Sequence, residues 1–182
     1  SSAASDVYKR QFFTFASTGD SSDFGDLSQS RSSVNGLGDG IRGVFCGGYT
    51  GSNQNTIDYV TISQAGNAVD YGDLTGLTNA GQIANSSTRG LIGGISNGTN
   101  TIDFITIATT GNAADFGDLT VARSGGALGP CCNSIRGIFV AGYSGGDLNV
   151  LDFVTIATKA NAQDFGDLAI IAASQTGAAS SP

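Results

Sequence analysis

Four copies of an Asp-x-x-Asp pair, Asp23/Asp26, Asp70/Asp73, Asp115/Asp118 and Asp164/Asp167, are the most conspicuous groups in this sequence able to do chemistry. Paired carboxylates are oxygen ligands of the kind calcium takes. The residues between them argue for another use. In each copy the spacer is an aromatic followed by Gly, as in Asp70-Tyr71-Gly72-Asp73. An Asp accepting a backbone N–H beside a Gly at positive φ is the chemistry of a sharp backbone reversal, so the pairs are expected to shape a turn and to hold no metal. The Asp-Phe-Gly triplet also occurs at the magnesium site of kinases, but the glycine-rich nucleotide loop, strand lysine and His-Arg-Asp loop that accompany it there are missing.

The 182 residues include no His, which excludes Ser-His-Asp and Cys-His nucleophile systems and removes a principal zinc ligand. Cys46, Cys131 and Cys132 make neither a metal spacing nor an even disulfide framework; they read as small hydrophobes. Outside the first eleven residues, a Ser-Lys dyad would have to use Lys159, which sits in a turn. The sequence therefore implies a non-enzymatic chain with no cofactor, no metal and no catalytic residue. All 15 acidic residues are Asp, and the net charge is -7. Without clustered Lys and Arg there is nothing to neutralise phosphates, so nucleic acid is not an expected partner. Apolar runs of about five residues fall far short of the roughly 18 that span a bilayer, so no membrane insertion is expected. Arg42, Arg89 and Arg136 recur, as do Asp58, Asp103 and Asp152. Each Arg is expected to pair with an Asp of its own or the next unit, because an inward charge without a partner is costly.

These groups are carried by an internal repeat. The segments Asp23-Phe24-Gly25-Asp26-Leu27, Asp70-Tyr71-Gly72-Asp73-Leu74, Asp115-Phe116-Gly117-Asp118-Leu119 and Asp164-Phe165-Gly166-Asp167-Leu168 lie at offsets of 47, 45 and 49 residues. Upstream of the last three stand Thr56-Ile57-Asp58-Tyr59-Val60-Thr61-Ile62 and its counterparts at 101–107 and 150–156. A third block, Arg42-Gly43-Val44-Phe45-Cys46-Gly47-Gly48, is matched at 89–94 and 136–142. Each block is β-branched or aromatic and bounded by Gly, Asn, Ser or Asp, which marks strands. Ile57, Tyr59 and Thr61 alternate with Asp58, Val60 and Ile62, so both faces are largely apolar, as in a strand covered on both sides. A fourth strand, of small residues, is expected near 34–37, 82–85 and 127–131. Four antiparallel strands in 40 to 50 residues correspond to one propeller blade. A β-solenoid, its repeats stacked along an axis, is the alternative.

The chain resembles kelch-type propellers in the Gly pairs Gly47-Gly48 and Gly93-Gly94, the third-strand aromatics Tyr59, Phe104 and Phe153, the fourth-strand aromatics Phe24, Tyr71, Phe116 and Phe165, and the segment Leu119-Thr120-Val121-Ala122-Arg123-Ser124-Gly125. It departs in placing Phe or Tyr where kelch repeats usually have Trp, and in Ala141-Gly142 for one Gly pair. The resemblance implies an all-β fold: an incomplete kelch-like β-propeller of about three and a half four-stranded antiparallel blades, with units of 45–49 residues. The units fall near 28–74, 75–119 and 120–168, with partial units at 12–27 and 169–182. The structural positions are Asp26, Asp73, Asp118 and Asp167, with the aromatics, glycines, arginines and aspartates named above. Gly-Asn-Ala preceding the Asp-Phe-Gly-Asp-Leu segment is similar to repeat proteins of uncultured marine tailed phages. Residues 1–11 resemble translated sequencing adapter rather than repeat, since similarity to the other copies begins at Phe12. The chain then reads as a fragment from a metagenome.

In repeat scaffolds the variable loops carry function. Here they are 48–55, 95–100 and 142–149, with 28–40, 75–88 and 120–134, all polar and free of charge clusters. The expectation is a binding or adhesion module, virion-borne or extracellular, that presents loops to a protein or glycan surface. A structural spacer or an intracellular kelch-type interaction scaffold are the alternatives. Open blade edges are expected to promote self-association.

Overall fold

The computed structural model describes residues 9–79, 81–95, 98–125 and 131–172. Every regular element among them is a strand. The strands form four separate antiparallel sheets in chain order. The first pairs β1 (Lys9–Phe12) with β2 (Ser22–Asp26). The second runs β3 (Asn35–Gly38), β4 (Arg42–Cys46), β5 (Gln54–Thr61), β6 (Val69–Thr78), and the third β7 (Gln82–Asn85), β8 (Arg89–Gly93), β9 (Thr101–Thr106), β10 (Ala114–Asp118). The fourth contains β11 (Arg136–Tyr143), β12 (Asp147–Thr155) and β13 (Gln163–Ala172).

Each sheet is a meander made from one repeat, and among the described residues no strand pairing joins one sheet to the next. A solenoid would pair corresponding strands of successive coils, so the stacked alternative fails on this point. The chain is all-β, an incomplete propeller-like array whose sheets do not close. The small-residue strands lie where the spacing puts them, as β3 and β7. Most of the third, at 127–131, lies outside the described residues, but Cys132 bridges Gly137 where that strand would run. Residues 1–8, most of the suspected adapter, and the end of the last partial unit also lie outside them. Strand β1 starts at Lys9, ahead of the similarity that begins at Phe12. Its register on β2 repeats that of β5 on β6, with Lys9 opposite Asp26 as Thr56 is opposite Asp73.

The core sits between sheets. One cluster joins Leu37, Val44, Cys46, Ile57, Tyr71 and Leu74 of the second unit to Ile83, Ile92, Ile95, Ile105, Ile107 and Ala113 of the third. The next joins Ala84, Leu91, Ile102, Phe116 and Leu119 to Phe139, Val154, Ile156 and Ala162. Neighbours Ile83/Ala84 and Leu91/Ile92 divide between the two clusters, because successive strand residues point to opposite faces. Strand β7 lies against both β3 of the preceding sheet and β11 of the following one. Space is tightest at the second strands: a β-carbon built on Gly93 of β8 would lie 2.8 Å from the Phe139 ring, and one on Gly137 of β11 2.6 Å from the Ala84 methyl.

Candidate functional site

The recurring residues converge on the joints between sheets. The Asp-Phe-Gly-Asp segment is a bulge inside the outer strand, not a turn: the register slips between Asp115 and Gly117 and between Ile57 and Asp58. The local chemistry is nevertheless the expected one. Gly25, Gly72, Gly117 and Gly166 have φ of 131°, 140°, 151° and 129°, and the Gly25 and Gly166 amides donate to the preceding Asp23 and Asp164 carboxylates at 3.0 and 2.8 Å. The bulge aromatic meets the third-strand aromatic of its own sheet edge-on, as in Tyr59–Tyr71 at 6.0 Å and Phe104–Phe116 at 6.1 Å.

Asp58, Asp103 and Asp152 are fully buried, but they do not pair with Arg42, Arg89 and Arg136. Register gives the reason. Arg42 stands opposite Thr61 and Phe45 opposite Asp58, an odd separation, so the Arg and Asp side chains leave opposite faces of the sheet. The arginines instead lie over the third-strand rings, 4.7 Å from Tyr59, 4.8 Å from Phe104 and 5.0 Å from Phe153. Arg42 and Arg89 also reach across the joint to donate to the carbonyls of Ile107 and Ile156, at 3.1 and 2.9 Å.

The aspartates hold the linker that crosses from the preceding sheet. Asp58 accepts from the Ser28 amide and hydroxyl and from Arg31 at 2.8 Å. Asp152 does the same with Thr120 and Arg123, again at 2.8 Å. Asp103 accepts from the Thr75 amide and hydroxyl, both at 2.7 Å; three residues on, where the other linkers carry Arg, stands Thr78. Burial raises the Asp103 pKa, and the two bonds from Thr75 oppose the rise. Arg123 was legible within the Leu119 to Gly125 segment. Arg31 was not, because the second of the three linkers breaks the pattern.

In a meander, alternate connections lie at opposite ends of the sheet. The β4–β5 type loops and the inter-sheet linkers therefore share one face of the array, and these are the variable stretches of the sequence. Hydrogen bonds tie them together: Ser32 and Tyr49 exchange amide–carbonyl bonds at 3.0 and 2.8 Å, and Ser124 and Tyr143 repeat the pair at the same distances. Tyr49 and Tyr143 thus stand at corresponding positions, 44% and 49% exposed, with backbones fixed. The third sheet has buried Ile95 in that place. Around the tyrosines lie polar groups, including Gln54, whose amide donates to Thr50 Oγ1 at 2.9 Å. Sequence reasoning did not single out the two tyrosines; the signal was their place directly after Gly48 and Gly142. At the opposite face, the β5–β6, β9–β10 and β12–β13 hairpins each form a shallow cleft beside Asn67, Asn112 and Asn161. Those asparagines are engaged in the joints, each accepting a backbone N–H from the preceding unit.

Among the described residues no group of three His, Cys or acidic side chains converges to hold a metal, and no helix is long and apolar enough to cross a membrane. Compared with models of protein families the chain matches none, and no curated protein matches it.

Proposed function

We propose that the chain is a non-catalytic binding module of kelch-like propeller type, which displays one loop face to a glycan or protein surface on a virion or outside the cell. The observation that carries this reading is the pair Tyr49 and Tyr143, each half-exposed where a strand opens into its loop and with its backbone pinned to the adjacent linker. Tyr supplies large contact area with few rotatable bonds, and Ser, Gly and Asn around it supply adaptable hydrogen bonding. Recognition loops in general combine these residues. The absence of clustered positive charge from the sequence directs the reading to neutral or weakly charged surfaces.

The experiment is a glycan array probed with the labelled chain, beside the double variant Tyr49→Ala/Tyr143→Ala. Binding by the parent chain should fall at least tenfold in the variant while its melting temperature stays within about 2 °C, since exposed side chains contribute little to stability. Glycan binding that survives the double substitution would refute the assignment to this face.

A further inference from the structure

The joints between sheets follow one pattern, and among the described residues the first and the last sheet each show one half of that pattern without its counterpart. At the first joint the loop 66–68 clasps the bulge of β2: Gly66 N–H donates to Phe24 C=O at 2.6 Å, Asn67 Oδ1 accepts from Asp26 N–H at 3.0 Å, and Ala68 N–H donates to Asp26 C=O at 2.8 Å. The second joint repeats this with Gly111, Asn112 and Ala113 on Tyr71 and Asp73. The third places Asn161 and Ala162 on Asp118 at 3.1 and 2.7 Å. The approach is close, since a β-carbon on Gly25, Gly72 or Gly117 would lie 2.3 to 2.6 Å from an atom of the clasping loop.

The bulge of β13 has no clasp among the described residues. A β-carbon on Gly166 would meet nothing within 4 Å, and Phe165 is 49% exposed where Tyr71 and Phe116 are 3% and 2% exposed. Arg136 stacks on Phe153, and among the described residues it has no carbonyl such as Arg42 and Arg89 find. At the other end, the register of β1 on β2 puts Phe12 in the place of Tyr59. Counting on from these, Phe15 takes the position of Ile62, Ile107 and Ile156, and Gly19-Asp20-Ser21 the position of the clasping loops. Phe15 is 95% exposed. Asp20 replaces Asn, but the joint uses only the side-chain oxygen, which Asp supplies equally.

We infer that these surfaces are complementary halves of one interface, and that the chain associates head to tail with a second copy of itself. In that contact Gly19 and Ser21 amides donate to the Phe165 and Asp167 carbonyls, Asp20 accepts from the Asp167 amide, and Arg136 reaches the Phe15 carbonyl. The two patches differ, so the contact is heterologous and propagates to a ring or a filament. The loop face is not used, so association multiplies its copies.

Sedimentation of the 182-residue chain and its blocked variants tests this. Phe15→Asp blocks the head and Phe165→Asp the tail; Arg136→Glu serves as the tail block if Phe165→Asp loses its far-ultraviolet circular dichroism. The parent's average mass should rise with concentration, each blocked chain should stay monomeric, and an equimolar mixture of head-blocked and tail-blocked chains should stop at two chains. A parent that stays monomeric at its solubility limit, a blocked chain that still self-associates, or a mixture that stays monomeric would each overturn the inference.

Discussion

Replacing Asp152 by Ala should destabilise the chain more than replacing Asp103, although the two occupy the same place in neighbouring repeats. Loss of Asp152 strands the guanidinium of Arg123, whose side chain is 0% exposed, and breaking such a pair costs about 3–5 kcal/mol. Loss of Asp103 leaves only the Thr75 amide and hydroxyl unpaired, a cost of about 1–3 kcal/mol. Urea unfolding of the two variants measures the order, and equal midpoint shifts would contradict it. The Asp103 carboxyl also sets a pH dependence. Its folded pKa lies above the ordinary 3.8, first because burial disfavours the charged form and despite the bonds from Thr75. Ionised Asp103 is therefore a penalty, fully present above the folded pKa and relieved as pH falls through it toward the unfolded value. Stability of the parent relative to Asp103→Asn should accordingly improve between neutral pH and about 4; a difference that is flat or moves the other way would reject the assignment. Reactivity follows the same logic. Burial pushes the Cys46 thiol up to about 12, and the thiolate is the nucleophile. Alkylation at pH 8 followed by mass mapping should leave Cys46 unmodified until denaturant is added, while the half-buried Cys132 is modified.

The outer-strand bulge forms with or without a clasp from the next unit, since β13 carries the same register slip and positive φ, and Gly117 and Gly166 separate the contribution of the clasp experimentally. Both adopt φ values that suit Gly, 151° and 129°, so Ala at either carries backbone strain of about 1–3 kcal/mol. At Gly117 the new methyl also lies 2.5 Å from the Ala160 carbonyl oxygen, whereas at Gly166 it meets nothing. Gly117→Ala should therefore lower the melting temperature clearly more than Gly166→Ala; equal losses would mean the clasp contributes nothing. Much at this scale was legible beforehand. Strands show because β-branched and aromatic blocks are cut by Gly and Asn, and β3 and β7 show because the 45–49-residue repeat leaves one short stretch per unit for a fourth strand. The bulge was not, since positive φ at Gly is shared by turns and bulges and only register tells them apart. The Arg–Asp pairing was misread for a related reason: perfect recurrence favoured Arg42, Arg89 and Arg136, while the true partners Arg31 and Arg123 recur imperfectly, and strand parity places the first set on the wrong face. The loop face was legible as variable sequence, but its tyrosines were hidden in Gly- and Ser-rich stretches that carry no periodicity.

For the whole molecule, what matters is that each sheet is stable in proportion to the faces its neighbours cover. The third sheet contributes to both clusters, with Ile83, Ile92 and Ile105 on one side and Ala84, Leu91 and Ile102 on the other. Among the described residues the first sheet has two strands, and exposed Phe12, Phe13 and Phe15 lie in and just after β1. The fourth leaves Phe165 half in solvent. In arrays of repeats, stability is close to a sum of unit and nearest-neighbour terms, so opening should begin at the ends and reach the centre last. Amide hydrogen exchange on the dilute tail-blocked chain, where association cannot protect the ends, measures this directly. Amides of β8 and β9 should exchange slowest, with protection near the global unfolding free energy, and those of β1, β2 and β13 fastest. The same experiment on Ile92→Ala, which opens a cavity in one cluster and should cost about 2–5 kcal/mol, should collapse the gradient, since the joint it weakens is the one that couples the second sheet to the third. Uniform protection along the parent chain would mean that the sheets unfold as one body and that the joints are not the units of its stability.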